Sequence, residues 1–264
     1  MGRRVVPGRR SFAFVLVCAL VSVFGACASS DARREPIDVV VVGDSLLYES
    51  KQTMREGLPG VRLEIHAFPG GALCDFLPVL RTDLERSEPS LVVIETVGNS
   101  AAPCLAGAGV LGSKTFADRY TRDLRELVNA ARASRAEVLI VDPPPIGGLA
   151  ADSNAELARL GARWRREFFG VPGVHFTDGP PRAVSDQGQF AATLPCLAEE
   201  GHRPECNAGR IAVRDPYFGL HFCRVLYPDD RAFRRGCTEY SSGAVRYGRA
   251  LADAIRALEA TAPD

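Results

Sequence analysis

Five short apolar, β-branched runs punctuate the chain: Ile37–Val42, Val61–Phe68, Leu91–Val97, Glu137–Val141 and Val174–Thr177. The first is continuous rather than alternating, as expected of a strand buried on both faces of a parallel sheet. Helical patterns lie between them, over about Leu46–Gly57, Leu73–Arg86, Thr115–Ala133 and Ala151–Phe169. A last one, Ser242–Ala260, places Val245, Leu251, Ile255 and Leu258 near one face. Strand followed by helix, repeated about five times, predicts a three-layer α/β/α doubly wound domain with a central, mostly parallel five-stranded sheet. Working groups in such sheets collect at the carboxyl ends of the strands. The rhythm breaks over residues 178–216, where Gly179-Pro180-Pro181, Pro195, Pro204 and two cysteines predict a long insertion held by a disulfide, placed to form a rim or lid. Pro143–Pro145 reads as a strand-end turn, and no internal repeat is visible.

The amino terminus follows a different logic. Arg3, Arg4, Arg9 and Arg10 precede an uncharged apolar run from Phe12 to Phe24 that is short for a membrane span, so residues 1–27 read as an export signal. Gly25-Ala26-Cys27 resembles a lipobox, which makes Cys27 the candidate for lipidation and the new amino terminus. Ala26-Cys27-Ala28 is also an A-x-A cleavage pattern, and Arg9-Arg10-Ser11-Phe12 resembles a twin-arginine signal. Residues 28–35 are then a linker and 36–260 a single domain. The predicted location is outside the cytoplasm, either in the cell envelope through a lipid anchor or extracellular.

Six cysteines remain: Cys74, Cys104, Cys196, Cys206, Cys223 and Cys237. An even number in an exported chain predicts three disulfides, although six cysteines allow 15 pairings and the sequence alone does not choose among them. The expected set is Cys74 with Cys104, Cys196 with Cys206 and Cys223 with Cys237. No C-x-x-C and no Cys/His cluster of structural-zinc spacing occurs, so no metal and no cofactor is expected. Equal numbers of basic and acidic side chains, 32 each, give no electrostatic footprint for nucleic acid. The 46% apolar content is that of a folded domain rather than a disordered chain.

Candidate chemistry starts where the first predicted strand ends. In Gly43-Asp44-Ser45-Leu46 a serine occupies a strand-to-helix turn, where a nucleophile lies near the positive end of a helix. The plain alternative is a turn with Ser45 as the helix N-cap. Pro69-Gly70-Gly71-Ala72 follows the second strand and Gly98-Asn99-Ser100 the third. A glycine N–H and an asparagine amide at the same sheet edge are what an oxyanion hole requires. Gly219-Leu220-His221-Phe222 supplies a histidine for the serine proton.

With these four blocks in this order, the chain resembles the SGNH/GDSL hydrolase family. The cysteines beside the second and third blocks are similar to those of its secreted actinobacterial members. The resemblance implies a serine esterase in which Ser45 is the nucleophile and His221 the base. The N–H groups of Ser45 and of Gly70 or Gly71, with the Asn99 side chain, would bind the oxyanion. One position departs from the family pattern: the aspartate usual three residues before the histidine is here Phe218. Asp215 is the expected orienting acid, with Asp229 and Asp230 as further candidates and a Ser-His dyad as the alternative.

Other residues take plainer readings. His66 and His175 are expected to be packed or edge histidines, Asp44 a brace for the nucleophile turn, Asp75 a helix cap and Trp164 part of a core stripe. The arginines from Arg159 to Arg166 read as a solvated helix face, and His202 as a candidate groove residue. The function expected is hydrolysis of short acyl or acetyl esters of small molecules, lipids or glycans. The alternatives are an envelope O-acyltransferase and a non-catalytic binding module. A membrane enters only through Cys27.

Overall fold

The computed structural model describes residues 38–147, 151–215, 219–223, 237 and 239–260. The export signal, Cys27, the linker, Phe218, Asp229 and Asp230 lie outside the described residues. The described ones belong to one compact unit, Glu35–Asp264.

Five strands, β1 (Val39–Gly43), β2 (Leu63–Ala67), β3 (Leu91–Ile94), β4 (Glu137–Val141) and β5 (Val174–Thr177), form one sheet in the order β2-β1-β3-β4-β5. Every pairing is parallel. Alternate residues point to opposite faces, and this divides the core in two. Val40, Val42, Val92, Ile94, Val138 and Ile140 face α2 (Leu73–Ser87), α3 (Lys114–Ala133) and α4 (Ala151–Glu167), where they meet Phe76, Leu80, Tyr120, Leu124 and Trp164. Val39, Val41, Leu91, Val93, Leu139 and Val141 face α1 (Ser45–Glu56) together with the carboxyl-terminal helix Ser242–Glu259, through Leu47, Met54, Leu251 and Ile255. Helices on both faces account for central strands β1 and β3 that carry no charged or polar side chain. Removing one such valine or leucine from water is worth about 1.5–3 kcal/mol.

His66, on edge strand β2, pairs with Asp83 of α2, and His175, on edge strand β5, pairs with Glu137. Trp164 stacks on Tyr120 within the core. The Asp75 carboxylate accepts the Ala72 N–H (2.9 Å) at the start of α2, as a cap does.

The segment expected to be an irregular insertion is more ordered than its sequence pattern suggests. It carries α5 (Gly179–Ala183) and a hairpin of β6 (Ser185–Asp186) and β7 (Gln189–Phe190), then a ladder of β8 (Thr193–Pro195) against β9 (Arg210–Ala212). Strands of two or three residues are too short to show a period of two. The helix after it, Ser242–Glu259, is α6. Buried Glu200 fastens the insertion to it, accepting from Arg246 and from the Ser242 hydroxyl (2.5 Å). Three disulfides are present: Cys74–Cys104, Cys196–Cys206 and Cys223–Cys237.

Candidate active site

The strand order reverses between β1 and β3, so their carboxyl ends open the crevice in which doubly wound folds hold ligands. β1 runs into Asp44 and then Ser45, the first residue of α1. The helix cap is Asp44, not Ser45: its Oδ1 accepts the Leu46 N–H (3.1 Å). The plain alternative for Ser45 is thereby excluded, its hydroxyl is not used as the cap, and first-turn N–H groups such as that of Ser45 have no partner within the helix. The other Asp44 oxygen accepts the Val97 N–H (2.6 Å) and a proton from Asn99 Nδ2 (3.3 Å). Asp44 thus ties the nucleophile turn to the asparagine loop. Burial outweighs these bonds and raises its carboxyl to about 6.

Glu95 lies behind this turn, fully buried at the end of β3. Its Oε2 accepts the Asp44 N–H (3.1 Å), and the Tyr247 hydroxyl donates to Oε1 (3.0 Å). A side chain at Gly43 would place Cβ 2.6 Å from Glu95 Oε2 and 2.7 Å from a Leu47 methyl, so only glycine fits there. Burial, and next the charge of Asp44, push the Glu95 carboxyl well above the usual range.

The two candidate glycines separate cleanly. The Gly71 N–H is spent on the Phe68 carbonyl (2.8 Å), and the Gly71 carbonyl accepts Asn99 Nδ2 (2.8 Å). Gly70 adopts φ +77°, with open space where a Cβ would lie, and its N–H has no partner among the described residues. Gly70 is therefore the donor available to a ligand, and Gly71 positions the asparagine. The Cys74–Cys104 bridge joins the start of α2 to the turn that follows Asn99.

His221 presents Nδ1 to Glu49 Oε1 at 2.6 Å, whereas the sequence reading placed Asp215 there. Asp215 meets the same segment through its backbone: its N–H donates to the His221 carbonyl (2.7 Å) and its own carbonyl accepts the Gly219 N–H (2.9 Å). Glu49 stands one helical turn after Ser45, on the same face of α1. Its second oxygen accepts the N–H groups of Phe222 (2.6 Å) and Cys223 (3.1 Å). An acid that already accepts two backbone N–H groups makes Nδ1 the donor and leaves the Nε2 lone pair to accept a proton. Burial lowers the imidazole pKa, but the bond and charge of Glu49, with smaller contributions from Asp44 and Asp215, prevail and raise it overall. Sequence reasoning missed Glu49, although a signal was there: an acid one turn past the serine, among Leu46, Leu47, Tyr48 and Ser50, all of them buried.

Hydrogen bonds thus link the Ser45 turn to Asn99 through Asp44, Asn99 to the Gly70-Gly71 turn, and His221 to Glu49 on the helix that begins at Ser45, with Asp44, Glu49 and Glu95 buried. The fold defines the class first, a doubly wound α/β/α domain. More particularly, it is the fold of the GDSL-like lipases. A GDSL-like lipase from Bacteroides thetaiotaomicron superimposes with a TM-score of 0.54 at 14% identity, over 84% of this chain and 89% of that one. A psychrotrophic esterase from Pseudoalteromonas sp. does so with a TM-score of 0.51 at 13% identity, over 85% of this chain and 100% of that one. No family model matches the chain, and no curated protein matches it in sequence.

Proposed function

We propose that the chain is an exported serine esterase of the SGNH/GDSL type, acting on short acyl esters through an acyl-Ser45 intermediate. The observation that carries this reading is the ion pair of His221 Nδ1 with Glu49, one helical turn from Ser45. It supplies the orienting acid whose absence from the histidine loop would otherwise suggest a degenerate site.

In the reaction, His221 Nε2 takes the Ser45 proton as Oγ attacks the ester carbonyl. The carbonyl oxygen becomes an oxyanion that receives hydrogen bonds from the N–H groups of Ser45 and Gly70. Asn99 Nδ2 becomes the third donor by exchanging its longer bond, the one to Asp44. Collapse of the intermediate breaks the bond to the alcohol, which leaves with the proton from His221. Water then repeats the sequence on the acyl enzyme and releases the acid. Each oxyanion donor is worth about 3 kcal/mol in such a transition state.

Three disulfides support an oxidising compartment, in keeping with the charged and apolar amino-terminal run. Lipidation of Cys27 belongs to the same proposal. No described helix is long and apolar enough to cross a membrane.

The test is turnover of p-nitrophenyl acetate and labelling by a fluorophosphonate, with wild type beside Ser45→Ala. Wild type should react in both and Ser45→Ala in neither. Hydrolysis that survives Ser45→Ala, or no reaction of wild type, sinks the assignment.

A further inference from the structure

Arg214 is a buried cation with an unusual set of partners. Its side chain is 2% exposed, and among the described residues no carboxylate pairs with it. Nη1 donates to the Leu220 carbonyl (3.0 Å) and Nη2 to the Pro145 carbonyl (3.1 Å), while Nε has no hydrogen-bond partner there. The guanidinium carbon stands 4.6 Å from the centre of the Phe222 ring. Burial lowers its pKa to about 10 against the raising influence of Tyr247, Glu49 and Glu95, so the group stays charged at neutral pH. A charge kept dry without an acid beside it is costly, and an apolar side chain of similar volume would fill the space at less cost. The partners show what the position serves. Leu220 and Phe222 stand on either side of His221, and Pro145 belongs to the loop after β4.

Residues 219–223 belong to no helix or strand, so their place depends on what holds their backbone. Four consecutive carbonyls are each held by a different group. Gly219 accepts from the Gly147 N–H (3.0 Å), Leu220 from Arg214, His221 from the Asp215 N–H (2.7 Å) and Phe222 from the Ser241 hydroxyl (2.8 Å). Of these donors only Arg214 is a charged side chain, and it alone binds two carbonyls, the second in the loop that carries Gly147. That loop leans on the same segment: Gly219, at φ +62°, backs onto Gly147 so closely that an added Cβ would come 2.7 Å from its Cα. The bond from His221 Nδ1 to Glu49 fixes one ring nitrogen, but a single bond does not fix the tilt of the ring. The peptides before and after the histidine do, and Arg214 touches the residues that supply both.

We propose that Arg214 is a positioning residue for His221: braced on the Pro145 carbonyl, it holds Leu220 and Phe222 and thereby sets the direction in which the imidazole faces. The inference rests on the esterase reading and deepens it, since a base displaced by about 1 Å loses on the order of 10²-fold in rate.

The experiment compares wild type with Arg214→Met, which keeps the volume and removes the donors and charge, and with Arg214→Lys, which keeps the charge but reaches one carbonyl at a time. Leu124→Ala, a core change on α3, controls for lost stability. Initial rates on p-nitrophenyl acetate are taken below the melting temperature of every variant. Proton NMR follows the His221 Nδ1–H, assigned by its absence in Glu49→Gln. Arg214→Met should lower kcat about 10²-fold with KM within threefold, and should shift or broaden the Nδ1–H resonance. Arg214→Lys should fall between it and wild type, and Leu124→Ala should melt lower with kcat and resonance unchanged. A kcat within threefold of wild type in Arg214→Met, or an unmoved resonance, overturns the proposal, as does an equal loss of kcat in Leu124→Ala. Should Arg214→Met not fold, Arg214→Lys decides: a kcat at least fivefold lower with a shifted resonance supports the role, and wild-type values of either overturn it. If wild type itself fails to turn over the ester, the esterase reading falls, and the resonance still tells whether Arg214 holds the ring.

Discussion

The acid paired with His221 comes from the helix that begins at Ser45 rather than from the histidine's own segment. If Glu49 orients the imidazole, Glu49→Gln should lower kcat for p-nitrophenyl acetate by about 10³–10⁴-fold, because the wrong tautomer becomes populated. Asp215→Asn, measured beside it, should cost less than tenfold; the reverse ranking would restore Asp215. The pH dependence follows from the raised imidazole pKa. The base works only when neutral, so activity is lost as the pH falls through a pKa above the ordinary histidine value. Any activity left in Glu49→Gln should lose its acid limb at lower pH, since the bond and charge that do most to hold the imidazole pKa up against burial are gone. Glu95 calls for the opposite substitution logic. It acts as a hydrogen-bonding bracket between the Asp44 N–H and the Tyr247 hydroxyl, and Gln can replace it there. Glu95→Gln should keep kcat/KM within about threefold, whereas Glu95→Ala should lower stability by about 1–3 kcal/mol by leaving the Asp44 N–H unpaired. Thermal unfolding of the two variants checks this.

At the scale of elements, what could be read from the chain followed burial. β4 and β5 coincide with their expected ranges, and β1 is a run of valines because both its faces are covered. Helix ends differ by one or two residues, as fraying termini do. Ser45, Asn99, His221 and Gly70 were visible because each follows a turn signal at a strand end or sits in a short motif. Glu49 was not, because its partner lies 172 residues away and no local pattern reports such a distance. The small ladders of the insertion escaped for a related reason: their order comes from Glu200, Arg246 and the Cys196–Cys206 bridge rather than from periodicity. Burial raises the Glu200 pKa, but the bonds from Arg246, Ser242 and the Leu197 N–H prevail and take it to about 2. A depressed acid stabilises the fold above its unfolded pKa, and that contribution vanishes as pH falls through the folded value. Thermal melts between about pH 4.5 and 2 should show a steep loss in wild type and a flatter one in Glu200→Gln. The variant should also be less stable at neutral pH by about 3 kcal/mol, the usual consequence of leaving a buried arginine unpaired. Equal slopes would remove Glu200 as the fastener.

Across the whole molecule the bridges lie outside the strands of the central sheet. Cys74 follows the β2 loop, Cys104 the β3 loop, Cys196 and Cys206 lie in the insertion, and Cys223 is two residues from His221. No strand of the central sheet carries a bridge, and Cys74–Cys104, which packs against one apolar layer, sits at the start of α2. Mild reduction should therefore lower esterase activity at a temperature where far-ultraviolet circular dichroism is still native. Simultaneous loss of both signals would show that the bridges hold the entire fold. Replacing Cys74 and Cys104 together by Ser should lower stability by about 2–4 kcal/mol.

Because serine and glutamate ride on one rigid rod, their spacing is insensitive to anything the loops do. Only the imidazole arrives from elsewhere, gripped by a carboxylate that also holds the peptide behind it. If the proposed triad operates, drawing that peptide away would part the imidazole from Glu49 while Ser45 and Glu49 keep their spacing on α1.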